Sequence, residues 1–383
     1  MQDAEGSKVH RGCIAAIVVL VLIALAMPGA DAHKGMVSPF TYNEHVFPIL
    51  RNRCGSCHYD GGPTPMSLLS YQDAQPWAEA IREQLVSEAM PPWYADPSGP
   101  AVRGGHTISP RELDVLIMWA GGGTPQGDLT KTPAPAVHAR KWKLGEPDLT
   151  LTMNAAQVLG ADATEETAEF VLATGLERTT SVSAIDLLPG VPSIVRDAVV
   201  RAEDGRVLAL WGAGDEPMLA PGGAVFPLEA GATLRLRIHY KKNYRDIHRA
   251  MEDRSQIGLY FAKSSAADAA IQTLELAAGS AEHGSEHQRL VATVETSMRV
   301  LALRPSLDRD YQSIAVDAVL PTGRRPLLRL RSPRADRGRR YWLNEPVDLP
   351  PATQIEVIAI AAPPSSTGKR SPAVHVAIDF IAR

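Results

Sequence analysis

The sequence predicts a multidomain chain, α followed by all-β: a small helical domain and then two antiparallel β-sandwich domains. Three observations carry this. Helical spacing of apolar residues is confined to about residues 38–124. From Trp142 onward the apolar residues alternate in short runs instead. Thirty glycines and thirty prolines supply turns between those runs, about one strand per dozen residues, which is the rhythm of antiparallel sandwiches. The 383 residues leave room for two or three such domains.

The first segment reads as an address. Lys8, His10 and Arg11 precede an apolar run of 15 residues, 13–27, followed by Pro28, Gly29 and the small-x-small triplet Ala30-Asp31-Ala32. This is the pattern of a secretory signal peptide, residues 1–32, cleaved after Ala32. Left uncleaved, residues 13–27 would anchor the chain in a membrane. Cleavage removes Cys13, leaves Cys54 and Cys57 as the cysteines of the mature chain, and places the protein in the periplasm or beyond.

The helical zone follows. In "YNEHVFPILRNRC" Val46, Ile49 and Leu50 fall at helical spacing, and in "DAQPWAEAIREQLVSE" Trp77, Ala80, Ile81 and Leu85 share a face. "ISPRELDVLIMWAGGG" opens with a Ser109 cap, Pro110 at the first helical position and Glu112 three beyond the cap. It stops at Gly121 to Gly123 and is expected to bury Leu113, Leu116, Ile117 and Trp119. Residues 125–141, rich in Pro, Ala, Thr and Lys, form a linker. The two sandwiches are expected over 142–265 and 270–383. The strand "ATLRLRIHYKK" sets the pattern, with Leu234, Leu236, Ile238 and Tyr240 on one face and Arg235, Arg237 and His239 on the other.

A net charge of −4 points to neither nucleic acid nor an anionic membrane. Three cysteines cannot build a disulfide framework. Eight arginines between Arg324 and Arg340 are either a solvated hairpin or a docking patch for an acidic redox partner.

The chemistry lies in "RNRCGSCHYD". Cys54-x-x-Cys57-His58 is the attachment signature of c-type haem. Two thiols add across the haem vinyl groups, and the adjacent imidazole is held against the iron as an axial ligand. A thioredoxin-type motif would end a strand of a βαβ unit, and none surrounds it. A zinc site wants four ligands, and no second pair is nearby. Met66, Met90 and Met118 are the candidates for the sixth ligand. Met90 is favoured because two prolines follow it directly in "MPPWYADP" and stiffen the loop. A methionine there closes the iron to dioxygen and suits electron transfer.

Helix, CGSCH, helix, Met-Pro loop and a final helix ending in Trp and Gly resemble a class I monohaem cytochrome c over about 38–124. "LWGAGDEPMLAPGGAVFPLEAGATLRLRIHYKK" with "EDRSQIGLYFAK", and later "YWLNEPVDLPPATQIEVIA", resemble the copper type II, ascorbate-dependent monooxygenases related to peptidylglycine hydroxylating monooxygenase. That resemblance implies two stacked, jelly-roll-like sandwiches, each holding one copper: one on a His-His pair and the histidine of the "HY" strand, the other on a His-x-His pair and a methionine. His239 matches the "HY" histidine. The His-His position falls on Arg196 and Asp197, the His-x-His position on Ser306 and Asp308, and no methionine follows Met298. His239 is thus a residual copper ligand at most, and no copper is expected. Arg196 and Asp197 are expected to form an ion pair at the vacated position, and His283 and His287 to lie in a solvated loop.

The expected function is an exported haem c electron carrier whose β region is a non-catalytic docking scaffold. The alternatives are a haem-fed copper monooxygenase acting on an organic substrate and a haem subunit of a membrane-bound respiratory complex.

Overall fold

Ser109, Pro110 and Glu112 start a helix as their order predicts. The Ser109 hydroxyl accepts from the Glu112 amide at 3.3 Å, and Glu112 returns a bond to the Ser109 amide at 2.8 Å. The computed structural model describes residues 37–105, 107–134, 141–217, 219–263, 269–277, 287–363 and 374–383. The expected signal segment with Cys13, residues 135–140 of the expected linker and His283 lie outside the described residues. The described chain is mostly β, in several antiparallel sheets, with a few short helices.

The helical unit holds α1 (Phe47–Arg53), entered through a π-turn, then α2 (Tyr71–Ala74), α3 (Ala78–Val86) and α4 (Pro110–Gly121). Pro76 turns the entry to α3 into a 3-10 turn, Gln75–Trp77, so the predicted second helix is broken there. Tyr42, Val46, Leu50, Leu85, Leu116 and Trp119 form the core. In α4 the fully buried side are Val115, Leu116 and Trp119, while Leu113 and Ile117 are half-buried. No described helix is long and apolar enough to cross a membrane.

The first β unit contains β1 (Leu149–Thr152), β2 (Gln157–Leu159), β3 (Glu165–Ala173), β4 (Thr180–Leu188), β5 (Val195–Ala202), β6 (Val207–Gly212), β7 (Phe226–Leu228), β8 (Thr233–Lys241), β9 (Met251–Asp253) and β10 (Gln256–Phe261). Two four-stranded sheets, β1-β10-β4-β7 and β3-β8-β5-β6, enclose one apolar core. The alternation in β8 decides its register. Leu234, Leu236, Ile238 and Tyr240 are each 0% exposed, which leaves His239 on the opposite face.

The second β unit contains β11 (Gln272–Ala277), β12 (His287–Thr293), β13 (Met298–Ser306), β14 (Tyr311–Leu320), β15 (Gly323–Arg331), β16 (Tyr341–Leu349), β17 (Gln354–Ala361) and β18 (His375–Ala382). Its sheets, β11-β18-β13-β16 and β12-β17-β14-β15, again share a core. Val300 to Leu303 in β13 read as an unbroken apolar run because both faces are covered. Val300 and Leu303 face the unit's own core, while Leu301 and Ala302 join the core of the first β unit.

Arg340 rivets the two β units. It is nearly buried, pairs with Asp379 at 2.8 Å, and donates to the carbonyls of Leu208 and Val207 at 2.7 Å each. It also stacks over Phe226 and Trp342. Residues 94–103 of the helical zone leave their own unit. Ala95 bridges to Leu330 on β15 and Val102 to Leu343 on β16, and Tyr94 is buried in the second unit's core. The expected boundary of 38–124 thus encloses a segment whose packing belongs to the far end of the chain.

Candidate functional site

The end of α1 builds the cysteine turn. Cys54 caps the helix, and its amide and that of Gly55 both donate to the Leu50 carbonyl, at 2.9 and 2.8 Å. The amides of Cys57 and His58 then fold back onto the Cys54 carbonyl at 3.1 and 2.9 Å. One turn therefore presents two thiols and an imidazole to the same cavity, of about 610 Å³.

Both thiols are free. Burial pushes the Cys54 thiol up to about 12 and moves Cys57 in the same direction. A redox-active pair shows the opposite shift, because there the thiolate is stabilised. Burial also pushes the His58 pKa down, opposed by the Met66 backbone, so the ring is neutral at pH 7. Its Nδ1 is buried and unpartnered. A buried neutral imidazole with an unsatisfied nitrogen is a group that wants a ligand.

The cavity has two unlike walls. Leu50, Leu68, Trp77, Ile81 and Leu116 of the helical unit make an apolar one. Arg196, Asp197, His239 and Lys241 of the first β unit, with Arg337 and Arg339 of the second, make an ionic one. Met66 and Met90 both line it; Met90 is 41% exposed. Met118 sits on the outer face of α4, 45% exposed, and does not line it. Close approach seals the Cys57 side. The Cys57 thiol donates to the Ala213 carbonyl at 3.3 Å, and a Cβ on Gly214 would fall 2.2 Å from that sulfur.

His239 is bound at both ring nitrogens. Nδ1 meets Asp197 and Nε2 meets Glu165, each at 2.8 Å. Glu165 also pairs with Lys241 at 2.9 Å. Asp197 chiefly, and Glu165 with it, raise the His239 pKa against the effect of burial. The carboxylates sit on opposite edges of the ring, so the three groups do not converge on an ion. Among the described residues no group of three or more His, Cys, Asp and Glu is arranged to hold a metal. The expected Arg196–Asp197 pair does not form. Asp197 is taken by His239, and Arg196 donates to the Ser193 carbonyl at 2.9 Å. In the second unit, Ser306 ends β13 opposite His375, while Asp308 accepts from the Tyr311 hydroxyl at 2.8 Å. His287, expected in a loop, starts β12 opposite Ile360.

The arginine run is largely paired with carboxylates. Arg324 pairs with Glu356, Arg329 with Asp317, Arg331 with Asp96, Arg337 with Asp215, Arg339 with Asp336 and Arg340 with Asp379. Arg325 and Arg334 are exposed. Sequence reasoning missed the ionic wall, because Lys241, Arg337 and Arg339 carry no motif and meet the cavity only through the folding of distant strands. It also missed Gly214, whose "WGAGDEP" context reads as an ordinary turn.

No model of a known protein family and no curated protein matches the chain. Among solved structures it is similar to the major capsid protein P2 from bacteriophage PM2, at 10% identity over 61% of this chain and 96% of that one, with a TM-score of 0.27. It is similar also to allantoicase, at 9% identity over 55% of this chain and 77% of that one, with a TM-score of 0.19. Scores this low carry no argument about fold family or activity.

Proposed function

We propose that the chain is an exported electron-transfer protein carrying one covalent haem c, attached through Cys54 and Cys57, with His58 and Met90 as axial ligands. One observation carries the reading: Cys54, Cys57 and His58 lie on a single turn beside a cavity of about 610 Å³, with the buried His58 Nδ1 lacking a partner. The donor set suits the group. Two free, protonated thiols are the reactants for vinyl addition, and a neutral imidazole is the axial donor that follows them. When bound, a haem c supplies a one-electron ferric/ferrous couple whose potential a methionine ligand raises. The protein's own part is to hold the group between an apolar wall and an ionic one, and to exclude water from it.

The helical unit is proposed to be a class I cytochrome c domain, and the β units to be jelly-roll-like sandwiches of the copper monooxygenase kind that have lost copper chemistry. The occupation of both His239 nitrogens by carboxylates supports the loss. Export rests on residues 1–32 of the sequence, and the periplasm is the compartment where such attachment is completed. A protein redox partner is proposed, for which Arg324, Arg325, Arg331 and Arg334 are exposed cations of the arginine run.

The test is the chromophore. Protein produced with the periplasmic c-type maturation machinery is expected to carry one iron and no retained copper per chain, with the haem resisting acid-acetone extraction. Cys54→Ser and Cys57→Ser together are expected to release it. A wild-type chain that retains no chromophore after extraction sinks the reading.

A further inference from the structure

We propose that the second β unit holds the sixth-ligand loop of the haem site in place, through a strap formed by residues 94–103, and that Tyr94, Asp336 and Arg339 are its positioning residues. The inference rests on the haem reading above and adds where the control of Met90 resides.

Met90 is gripped from two sides by different units. On its N-terminal side the amides of Ala89 and Met90 both donate to the Gln84 carbonyl of α3, at 2.9 and 3.2 Å. On its C-terminal side Pro91 and Pro92 offer no amide and the Trp93 amide turns back onto the Pro91 carbonyl at 2.8 Å, so the first backbone bonds to another unit come with the strap. There the Arg331 amide donates to the Tyr94 carbonyl and the Asp96 amide to the Arg329 carbonyl, both at 2.9 Å on β15. The Asn344 amide donates to the Ala101 carbonyl at 2.9 Å, and the Arg103 amide to the Trp342 carbonyl at 2.8 Å, on β16.

β15 and β16 are edge strands of different sheets. The strap therefore completes two open edges at once, and a strand edge is the surface on which an extended segment docks most readily. Side chains lock it. Tyr94 is 6% exposed and its hydroxyl donates to Asp336 at 2.9 Å. Arg339 pairs with the same carboxylate at 2.8 and 3.1 Å and lies over the Tyr94 ring at 4.6 Å. Trp93 packs 5.4 Å from Tyr341. Trp93, Asp336 and Arg339 also line the haem cavity, so the lock and the site are contiguous. A free cytochrome domain would hold its methionine loop with its own residues. Here the loop is tied to strands more than 200 residues later in the chain, and a shift of β15 or β16 is transmitted to the thioether.

The test uses the full-length holoprotein and carbon monoxide, which binds ferrous haem only when the methionine leaves. Arg331→Pro deletes the amide that bonds Tyr94 at the edge, and Tyr94→Phe deletes only the hydroxyl while keeping the buried ring. Arg331→Pro is expected to raise the carbon monoxide association rate about tenfold and to weaken the far-red absorption band of methionine-ligated ferric haem, with a smaller change in Tyr94→Phe. Covalent haem content should stay at the wild-type level in both. An unchanged rate and band in variants that keep their haem overturns the proposal. Wild-type protein without covalent haem fails the underlying reading instead, and the haem assay tells the two apart.

Discussion

The Cys57 sulfur donates to the carbonyl of Ala213, 3.3 Å away and 156 residues later in the chain. The cysteine turn of the helical unit thus rests on a loop of the first β unit. Gly214 makes the contact feasible. It has a φ of +86°, where an L side chain is strained, and a Cβ would stand 2.2 Å from the sulfur. Gly214→Ala combines the backbone strain with overpacking, together about 2–4 kcal/mol. The variant is expected to melt earlier by calorimetry and to show chains with haem on one cysteine only by mass spectrometry. A wild-type melting temperature and complete attachment in Gly214→Ala refute this contact.

The methionines separate by position. Met66 and Met90 line the cavity and Met118 does not. Met90→Ala is expected to abolish the far-red band and to lower the midpoint potential, since a thioether favours ferrous iron. Met118→Ala is expected to leave both unchanged, as its side chain is on an outer helix face. A band that survives in Met90→Ala and disappears in Met66→Ala moves the ligand to Met66.

Local chemistry was legible in the sequence where it is local in space. The Ser109 cap, the face of β8 and the cysteine turn depend on residues within a few positions of each other, so spacing alone specifies them. The ionic wall was not legible. Arg337 meets Asp215 across 122 residues, a pairing that only tertiary packing creates. Composition suggested a basic patch between Arg324 and Arg340. The strands instead bring carboxylates to most of these guanidiniums, and the most buried ones, Arg337, Arg339 and Arg340, each have such a partner. The strap was hidden for a related reason. "WYADPSGPAVRGG" has the prolines and glycines of a free loop, and nothing in it signals the sheet edges that receive it.

His239 offers a test with a pH sign. Its folded pKa is raised, first by Asp197 and then by Glu165. A raised histidine adds stability that is full below the unfolded value of about 6.5 and is lost as pH rises through the folded value. His239→Ala is therefore expected to cost about 1 kcal/mol near pH 5.5, with the gap from wild type closing in alkaline solution. The measurement is a pair of denaturant curves at several pH values. A gap that widens with pH, or a copper ion retained through dialysis by wild type and lost by the variant, contradicts the ion-pair assignment.

Asp379 carries the opposite sign and a larger effect. It is 0% exposed and bonds both Arg304 and Arg340, at 2.9 and 2.8 Å. Burial alone would raise its pKa, but the Arg340 and Arg304 guanidiniums outweigh that and hold it below the usual carboxylate range. Its contribution is therefore present above the unfolded value of about 3.9 and is lost as pH falls through the lower, folded value. Asp379→Asn leaves two buried cations without their counter-charge, at a cost of about 3–5 kcal/mol at pH 7. The consequence reaches beyond one strand, because Arg340 also supplies the bonds to Leu208 and Val207 that fasten the two β units. Calorimetry of Asp379→Asn is expected to resolve two transitions where the wild type shows tighter coupling, and the difference in stability should shrink as pH falls from about 4 through the lower, folded value. A single transition at the wild-type temperature would mean that the Arg304–Asp379–Arg340 cluster is not what joins the units, and that the shared apolar contacts of Leu301, Ala302 and Trp342 suffice.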